Sequence, residues 1–494
     1  MEKLSYKTLA EQGYDGYLLK DAPERVLQFG EGNFLRAFAE HFIDEMNEKA
    51  GFNGKAVLVQ PRGNHPDTAR RINTQDGLYT LFLRGRENGE LVNRKRVISC
   101  VSRCLNPVED YQSLMDCAKN PDLRFLISNT TEAGIVFDPE CRADDTPPAS
   151  FPGKLTQFLY ARYKQGLPGF IILPCELSDH NGDALKHCVE QYTGLWNLGE
   201  DFFAWVSSEN VFCSTVVDRI VTGYPKVEAD LLCRELGYQD DVIDTGEVFA
   251  SWVIEGPQSV KDELPFEKAD LPIIVVDDHV PYKQRKVRIL NGAHTSMVLG
   301  AYLAGQNIVR GCMEDDLIRG FMNKTIYDEI IPTLDLPREE LTGFAAAVFQ
   351  RFNNPYIDHA LLDIALNSTA KWNARVMPSL LEYVKRMGRL PVCITFSFAA
   401  YIVFYHNGRE RGGDSLTGAR GGDTYAIRDE QWVLDFYYEH KDDDARTIAR
   451  AVVNNERMWG TSLAELDGFE DAVADALERI EAVGMYEAMK EVLR

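Results

Sequence analysis

Arg25-Val-Leu-Gln-Phe-Gly30-Glu-Gly32-Asn-Phe-Leu-Arg36-Ala-Phe38 is the stretch whose reading decides the fold. Its apolar start, 25–30, reads as a short buried strand, and Phe38, Phe42 and Met46 then recur at i+4 as a helix over 38–49. Strand, glycine turn and helix in that order form a dinucleotide-binding βα unit, because glycines let the backbone approach a pyrophosphate at a helix N-terminus. The candidate cofactor residues here are Phe29, Gly30, Glu31, Gly32, Asn33, Phe34 and Arg36. Two features depart from the pattern. A third glycine would fall at 35, where the chain has Leu35, and Glu31 has to point away from phosphate. A GxG turn also occurs in ordinary loops, so it needs support from the rest of the chain.

That support comes from alternation. A second strand, Lys55–Gln60, ends in Pro61-Arg62. An NAD-binding unit often has an acidic residue here for the ribose hydroxyls; Gln60 is neutral and Arg62 suits a 2′-phosphate, so first principles leave NAD and NADP open. Strands follow at Tyr79–Leu83, Val97–Cys104 and Leu123–Ser128, the last running into the polar turn Ser128-Asn-Thr130-Thr-Glu132. Open α/β sheets bind ligands at such strand ends, which makes Thr130 and Glu132 cofactor candidates; Glu132 reads equally as a helix N-terminal carboxylate. A helix at Lys154–Gln165 leads to the strand Phe170–Leu173, which ends in Pro174-Cys-Glu-Leu-Ser-Asp-His-Asn181-Gly182, a turn with a cap. Asp218-Arg219 reads as a structural ion pair or a cofactor-side contact, and Leu271–Asp278 is a further strand.

From Lys286 the apolar period is helical for nearly the whole remaining chain, with stretches that include 286–305, 356–370, 376–387 and 392–406. The fold expected is α/β: a Rossmann-type N-terminal domain over 1–280, followed by a mostly α-helical C-terminal domain over 281–494. Asn407–Asp423, rich in glycine and charge, reads as a mobile surface loop. At the expected junction, where clefts form, stands Lys286-Val-Arg-Ile-Leu-Asn291-Gly-Ala-His294. On an α-helix at ~100° per residue, Asn291 lies ~140° round from Lys286 and His294 between them at ~80°, with Arg288 towards the far side. A proton-transfer group beside two hydrogen-bonding groups is what carbonyl–alcohol chemistry needs.

Composition limits the alternatives. A net charge of −23 speaks against a nucleic-acid surface, and 45% hydrophobic with 26% charged residues is a soluble globular balance. The ten cysteines contain no CxxC pair, which fits reduced thiols rather than a zinc module. The N-terminal MEKLSYKTLAEQGYDGY lacks a signal peptide's apolar core, and the most apolar run, Leu390–Tyr405, is too short and polar to span a membrane. A cytoplasmic protein acting on a small molecule, with no nucleic-acid or membrane partner, is expected; nothing fixes its oligomeric state.

Six motifs then converge. QFGEGNFLRAF at 28–38, SNTTEAG at 128–134, ILPCELSDHNGDALK at 172–186, TVVDRI at 215–220, KVRILNGAH at 286–294 and RFNNP at 351–355 resemble, in order and over nearly the full chain, the polyol-specific long-chain dehydrogenases of the mannitol dehydrogenase family. The EGNFLRAF turn, PCEL and SLLEY at 379–383 look most like the branch acting on keto sugar acids. The resemblance implies NAD-linked interconversion of a secondary alcohol and a ketone. Lys286 would be the catalytic acid/base, Asn291 and His294 would bind the reacting oxygen, and Asn181 and Lys371 would line the substrate pocket. Gln60 and Asp218 join the expected cofactor residues.

Its departures from the family are informative. Lys283 stands where mannitol-type members carry glutamate, and Asp363 where they carry a pocket arginine; instead Arg375 follows Lys371 by one helical turn. Residues at i and i+4 share a face, so Lys371 and Arg375, with Lys283, suit a carboxylate, as an acid sugar would present. Burial and the charges of Lys283, Arg285 and Arg288 are expected to lower the Lys286 pKa, and the chemistry needs no metal. Rival readings are another stereoisomer's reductase or a hexitol dehydrogenase, a non-catalytic dinucleotide sensor, and an NAD- and metal-dependent glycosidase with Cys175, His180 and Asp278-His279 as ligands.

Overall fold

The apolar run after Pro23 forms β1 (Glu24–Phe29), a central strand of a six-stranded parallel sheet with β2 (Lys55–Val59), β5 (Val101–Leu105), β6 (Phe125–Ser128), β7 (Ile171–Pro174) and β8 (Val211–Phe212). The computed structural model describes residues 1–61, 66–87, 89–131 and 134–494, and it divides into two units, Met1–His279 and Val280–Arg494. In the first unit the strand order is β5-β2-β1-β6-β7-β8. Strand progression reverses between β1 and β6, the switch point outside whose carboxyl ends doubly wound sheets bind dinucleotides. The strands are buried on both faces: Leu27, Phe29, Val57 and Leu126 pack towards the helix Phe151–Lys164, and Val26, Leu58 and Phe125 towards the helix Ala39–Ala50. Continuous apolar runs rather than alternation are what two covered faces require.

The stretch read as one strand over Val97–Cys104 is two. β3 (Tyr79–Glu87) pairs with β4 (Glu90–Ile98) and with β10 (Asp244–Glu247) in a second sheet, while β5 restarts at Val101 in the first. The buried carboxylate of Asp44 causes the break, accepting both the N–H and the hydroxyl of Ser99 and so removing that residue from either ladder. A third sheet joins β9 (Ser214–Asp218), β11 (Ser251–Glu255) and β12 (Ile273–Val276). The first helix after the glycine turn also differs from expectation. A single turn, Asn33–Arg36, precedes the longer helix Ala39–Ala50, with Phe38 at φ −123° and ψ −83° between them.

The second unit is helical around Val392–His406, buried almost all round as its even apolarity requires. It packs against the helices Gly292–Leu303 and Phe469–Val483. The stretch read as one helix over 356–370 is instead the turn Leu361–Ile364 and the helix Ser368–Arg375, entered through Asn367 at φ 53°. The expected mobile loop at 407–423 is largely an ordered antiparallel sheet of β13 (Glu410–Gly412), β14 (Ser415–Arg420) and β15 (Asp423–Ile427). Gly421 and Gly422, at φ 57° and 97°, make its tight turn. Arg420 fastens it by donating to the carbonyls of Tyr302 and Gln306, both at 2.8 Å, with its guanidinium over the Tyr302 ring.

Candidate active site

In the second unit, Lys286–Asn291 is not α-helical but a turn of π-helix, set between the helices Val280–Arg285 and Gly292–Leu303. The N–H of Gly292 bonds to the Val287 carbonyl five residues back. An i→i+5 ladder stacks residue i+5 over residue i, so Lys286 and Asn291 share one face instead of standing ~140° apart as they would on an α-helix. Gly292 permits a close approach here, since a Cβ on it would sit 3.0 Å from the Arg375 carbonyl oxygen. The end of the helix Ser368–Arg375 thus packs directly on the π turn.

Three residues further on, His294 is buried, and its Nε2 has no hydrogen-bond partner among the described residues. Its ring stacks on Phe352, centroids 3.8 Å apart, and meets His359 edge-on at 5.6 Å. Burial, then the charges of His359, Arg351 and Arg375, hold its pKa well below the ordinary 6.5. His294 is therefore a neutral imidazole in a cationic surround, suited to a substrate oxygen that becomes negative. Lys371, one turn before Arg375, donates to the Ile364 carbonyl at 2.8 Å, and burial and the Arg375 charge lower its pKa. Lys286, Asn291, Lys283 and Arg375 are half-buried. Of the cations expected to act on Lys286, Arg285 is ion-paired with Glu340 and Arg288 donates to the Ser379 hydroxyl at 3.1 Å, which reduces the part assigned to them. Phe352, Arg351 and His359 had been given no role. The first two lie in the RFNNP motif, but only the fold reveals their stacking and charge.

In the first unit the glycine turn has the shape a phosphate needs. Gly30 stands at φ 121°, with the Asn129 carbonyl oxygen 2.9 Å from where a Cβ would lie, while Gly32 has open space on that side. From below, Gln28 donates to the Gly30 carbonyl (2.8 Å) and to buried Glu40 (2.7 Å), whose other oxygen accepts from Tyr79. A cavity of about 460 Å³ opens beside the switch point, lined by Pro61, Thr130, Val136, Phe137 and Phe151 among others. The turn and this cavity, walled by Val136, Phe137 and Phe151 and edged by Thr130, Asp138 and Ser150, fit a dinucleotide's pyrophosphate and base. Gln60 donates to the Glu31 carboxylate at 3.0 Å, which carries Glu31 away from the phosphate side and towards the end of β2. Phe29 is buried in β1, and Phe34 stacks on Phe38.

Several expected ligands are committed to the scaffold instead. Arg36 is buried, donating to the Val242 carbonyl and Asn33 Oδ1, 3.8 Å from Asp244 and over the Tyr79 ring, so it braces the turn from inside rather than facing a phosphate. Asn181, fully buried, donates to the carbonyls of Pro174, Glu176 and Thr215 and accepts the Thr215 N–H. Its amide N–H groups are used in tying β7 to β9, which leaves no donor for substrate. Thr130 gives both its N–H and its hydroxyl to Glu176, a buried carboxylate that also accepts from Ser128. In sequence Glu176 is legible only as part of the PCEL motif, because its partners Ser128 and Thr130 lie at the end of another strand. Asp218 ends β9, paired with Ser251 in the third sheet. Glu132 and Arg62 lie outside the described residues. Of the metal ligands imagined, Cys175 is buried with its thiol on the Leu173 carbonyl, while His180 and His279 do meet, together with Glu255.

Comparison with known proteins matches two family descriptions, the Mannitol dehydrogenase Rossmann domain over residues 24–268 and the Mannitol dehydrogenase C-terminal domain over 278–481. An altronate oxidoreductase of Bacillus subtilis (strain 168) is 43% identical over 485 residues, 97% of this chain and 96% of that protein. One of Shigella flexneri is 44% identical over 496 residues, 98% and 99% of the two chains. Among solved structures, D-sorbitol dehydrogenase in substrate-free form superposes with a TM-score of 0.83 at 22% identity, covering 98% of this chain and 100% of that one. Pseudomonas fluorescens mannitol 2-dehydrogenase, in a ternary complex with NAD and D-mannitol, gives 0.72 at 21% identity with 99% of each chain covered. At these identities the two structures bear on the fold alone.

Proposed function

The chain belongs to the mannitol dehydrogenase family, and on that premise we propose that it reduces D-tagaturonate to D-altronate, reversibly and with NADH, in the breakdown of hexuronates. Membership makes it a nicotinamide-dependent oxidoreductase acting on CH–OH groups. The acid-sugar assignment rests on one observation: Lys371 and Arg375 stand one turn apart on one helix, close enough for the Arg375 charge to depress both the Lys371 and the buried His294 pKa. A neutral hexitol gives no reason for a second cation beside the oxygen-binding histidine, whereas a carboxylate does. The relatives named altronate oxidoreductase support the same choice. For the cofactor, Glu31 held at the end of β2 by Gln60 favours NAD, because a carboxylate there accepts ribose hydroxyls and repels a 2′-phosphate.

The turn at Gly30–Gly32 and the cavity beside Thr130 would hold the dinucleotide, which would supply the hydride when bound. The rest falls to the second unit. Asn291 and His294 donate to the carbonyl oxygen as negative charge grows on it, and neutral His294 does so without losing its own proton. Lys286, on the same face of the π turn as Asn291, delivers the proton that completes the alcohol and takes it back in oxidation. Lys371 and Arg375, with Lys283, hold the carboxylate.

The test is NADH oxidation with tagaturonate, fructuronate and fructose as parallel substrates, with and without a chelator. Tagaturonate should be turned over with the highest kcat/KM. Preference for fructuronate or fructose would move the assignment to another member's substrate, and chelator-sensitive cleavage of a glycoside without net NADH loss would replace the reaction class.

A further inference from the structure

We infer that the first unit carries a binding site for a divalent transition-metal ion of the zinc class, formed by His180, Glu255 and His279. The three come from separate elements: the left-handed residue before the helix Asn181–Leu195, the last residue of β11, and the segment after β12. Each offers one nitrogen or oxygen, and the three atoms lie within 4.8 Å of one another. The imidazole rings stand nearly perpendicular, with centroids 4.8 Å apart.

His279 is the fixed member. It is buried, and Glu255 Oε2 accepts its backbone N–H at 2.9 Å and lies 2.6 Å from its Nδ1. That hydrogen bond fixes the His279 ring beside the carboxylate, and a bound ion would take the place of the proton the two atoms share. His180 is the adjustable member, its side chain 52% exposed. Around a tetrahedral ion with bonds of ~2.1 Å, ligand atoms stand about 3.4 Å apart. Rotation of the His180 side chain supplies the contraction needed from the present spacing. Two imidazoles and a carboxylate select zinc, cobalt or nickel over calcium or magnesium, which take oxygen donors. Three protein ligands also leave a fourth position for water or another oxygen ligand. A purely structural reading explains the Glu255–His279 pair and gives His180 an edge-on ring contact and a 3.8 Å approach to Asp183, but it does not use the imidazole nitrogen and carboxylate that the three residues bring together. The inference uses the geometry of this unit alone and does not depend on the substrate assigned above.

The experiment uses the full chain, stripped with a chelator and desalted, titrated with Zn²⁺ by calorimetry and with Co²⁺ by visible absorption. One equivalent of Zn²⁺ should bind, and Co²⁺ should develop d–d bands of a nitrogen–oxygen site without a thiolate charge-transfer band. His180→Ala, whose exposed side chain makes it safe for folding, should weaken Zn²⁺ binding by about 10-fold or more, and Glu255→Gln should do likewise. Absence of stoichiometric binding, unchanged affinity in His180→Ala, or a thiolate band that places the metal on a cysteine would each overturn the site.

Discussion

His294 lies flat on Phe352, with ring centroids 3.8 Å apart and planes inclined by 10°. Burial, and then the cations around it, keep the imidazole neutral well below its ordinary 6.5. The sign follows from linkage. Below about pH 6.5 the unfolded chain gains a proton here that the folded chain refuses, so this contribution is intact above that pH and lost as pH falls towards the folded value. His294→Gln cannot titrate and should therefore lose less stability than the parent chain between about pH 7.5 and 5.5 in urea unfolding. Equal losses would mean that His294 protonates freely.

Glu40 behaves oppositely. Burial pushes its carboxyl up to about 7, against hydrogen bonds from Gln28 and Tyr79 that favour the anion. The unfolded group ionises near 4.5, so folding is penalised progressively as pH rises from there to about 7. Glu40→Gln keeps an acceptor for Gln28 and offers an N–H to the Tyr79 oxygen. It should match or exceed the parent's stability at about pH 8 and flatten the dependence below it; a loss of several kcal/mol at that pH would show that the anion is the stable form.

At Gly292 two effects compete. Alanine in a helix interior gains about 1 kcal/mol over glycine, but its Cβ would meet the Arg375 carbonyl at 3.0 Å and the Val287 carbonyl at 3.4 Å. Overpacking costs about 1–3 kcal/mol and here falls on backbone atoms that cannot rotate away, so it prevails. Gly292→Ala should lower Tm slightly and kcat more, because Asn291 and Arg375 are the neighbours displaced. An unchanged kcat would detach the π turn from catalysis.

What could be read in the sequence was what depends on neighbours in the chain. The apolar run into Gly30 and Gly32 is local, as is the spacing of Lys371 and Arg375, and both were legible. The π turn was not, because α and π ladders draw on the same residue types and the choice depends on Gly292 meeting Arg375 from another helix. Arg36 looks like a ligand in sequence because it follows the glycine turn, and Asn181 because it matches a pocket position of the family; their partners, Val242 and Thr215, are remote in the chain and decide otherwise. In β14 and β15 the inward residues Leu416, Tyr425 and Ile427 alternate correctly, but the surrounding glycines and charges concealed the period.

The paired cations offer a selectivity test. Lys371 donates to the Ile364 carbonyl, and the planar fork of Arg375 can take a carboxylate in two hydrogen bonds, so Arg375 should carry more of the carboxylate. Arg375→Ala should raise KM for a keto-uronate by about 10-fold or more, as loss of a charge-assisted pair of about 1.5–3 kcal/mol implies, while KM for the matching neutral ketose stays within about twofold. Lys371→Ala should show the same preference, more weakly. Equal effects on both substrates would remove the carboxylate role.

The proposed reaction rests most heavily on Lys286. A general acid–base group contributes about 10²–10⁴ in rate, so Lys286→Ala should lose that factor in kcat. The proposed cofactor site at Gly30, Gly32 and the cavity beside Thr130 belongs to the first unit, so NADH affinity, read by fluorescence quenching, should stay within about twofold. The pH profile separates the proton-transfer role from simple positioning. If Lys286 moves the proton, the basic form promotes oxidation, and the rise of oxidation rate with pH should disappear in Lys286→Ala; a small amine added to the buffer should restore part of the rate in proportion to its free-base concentration. A variant that turns over normally, or one that loses NADH binding along with activity, would place the proton transfer on another group.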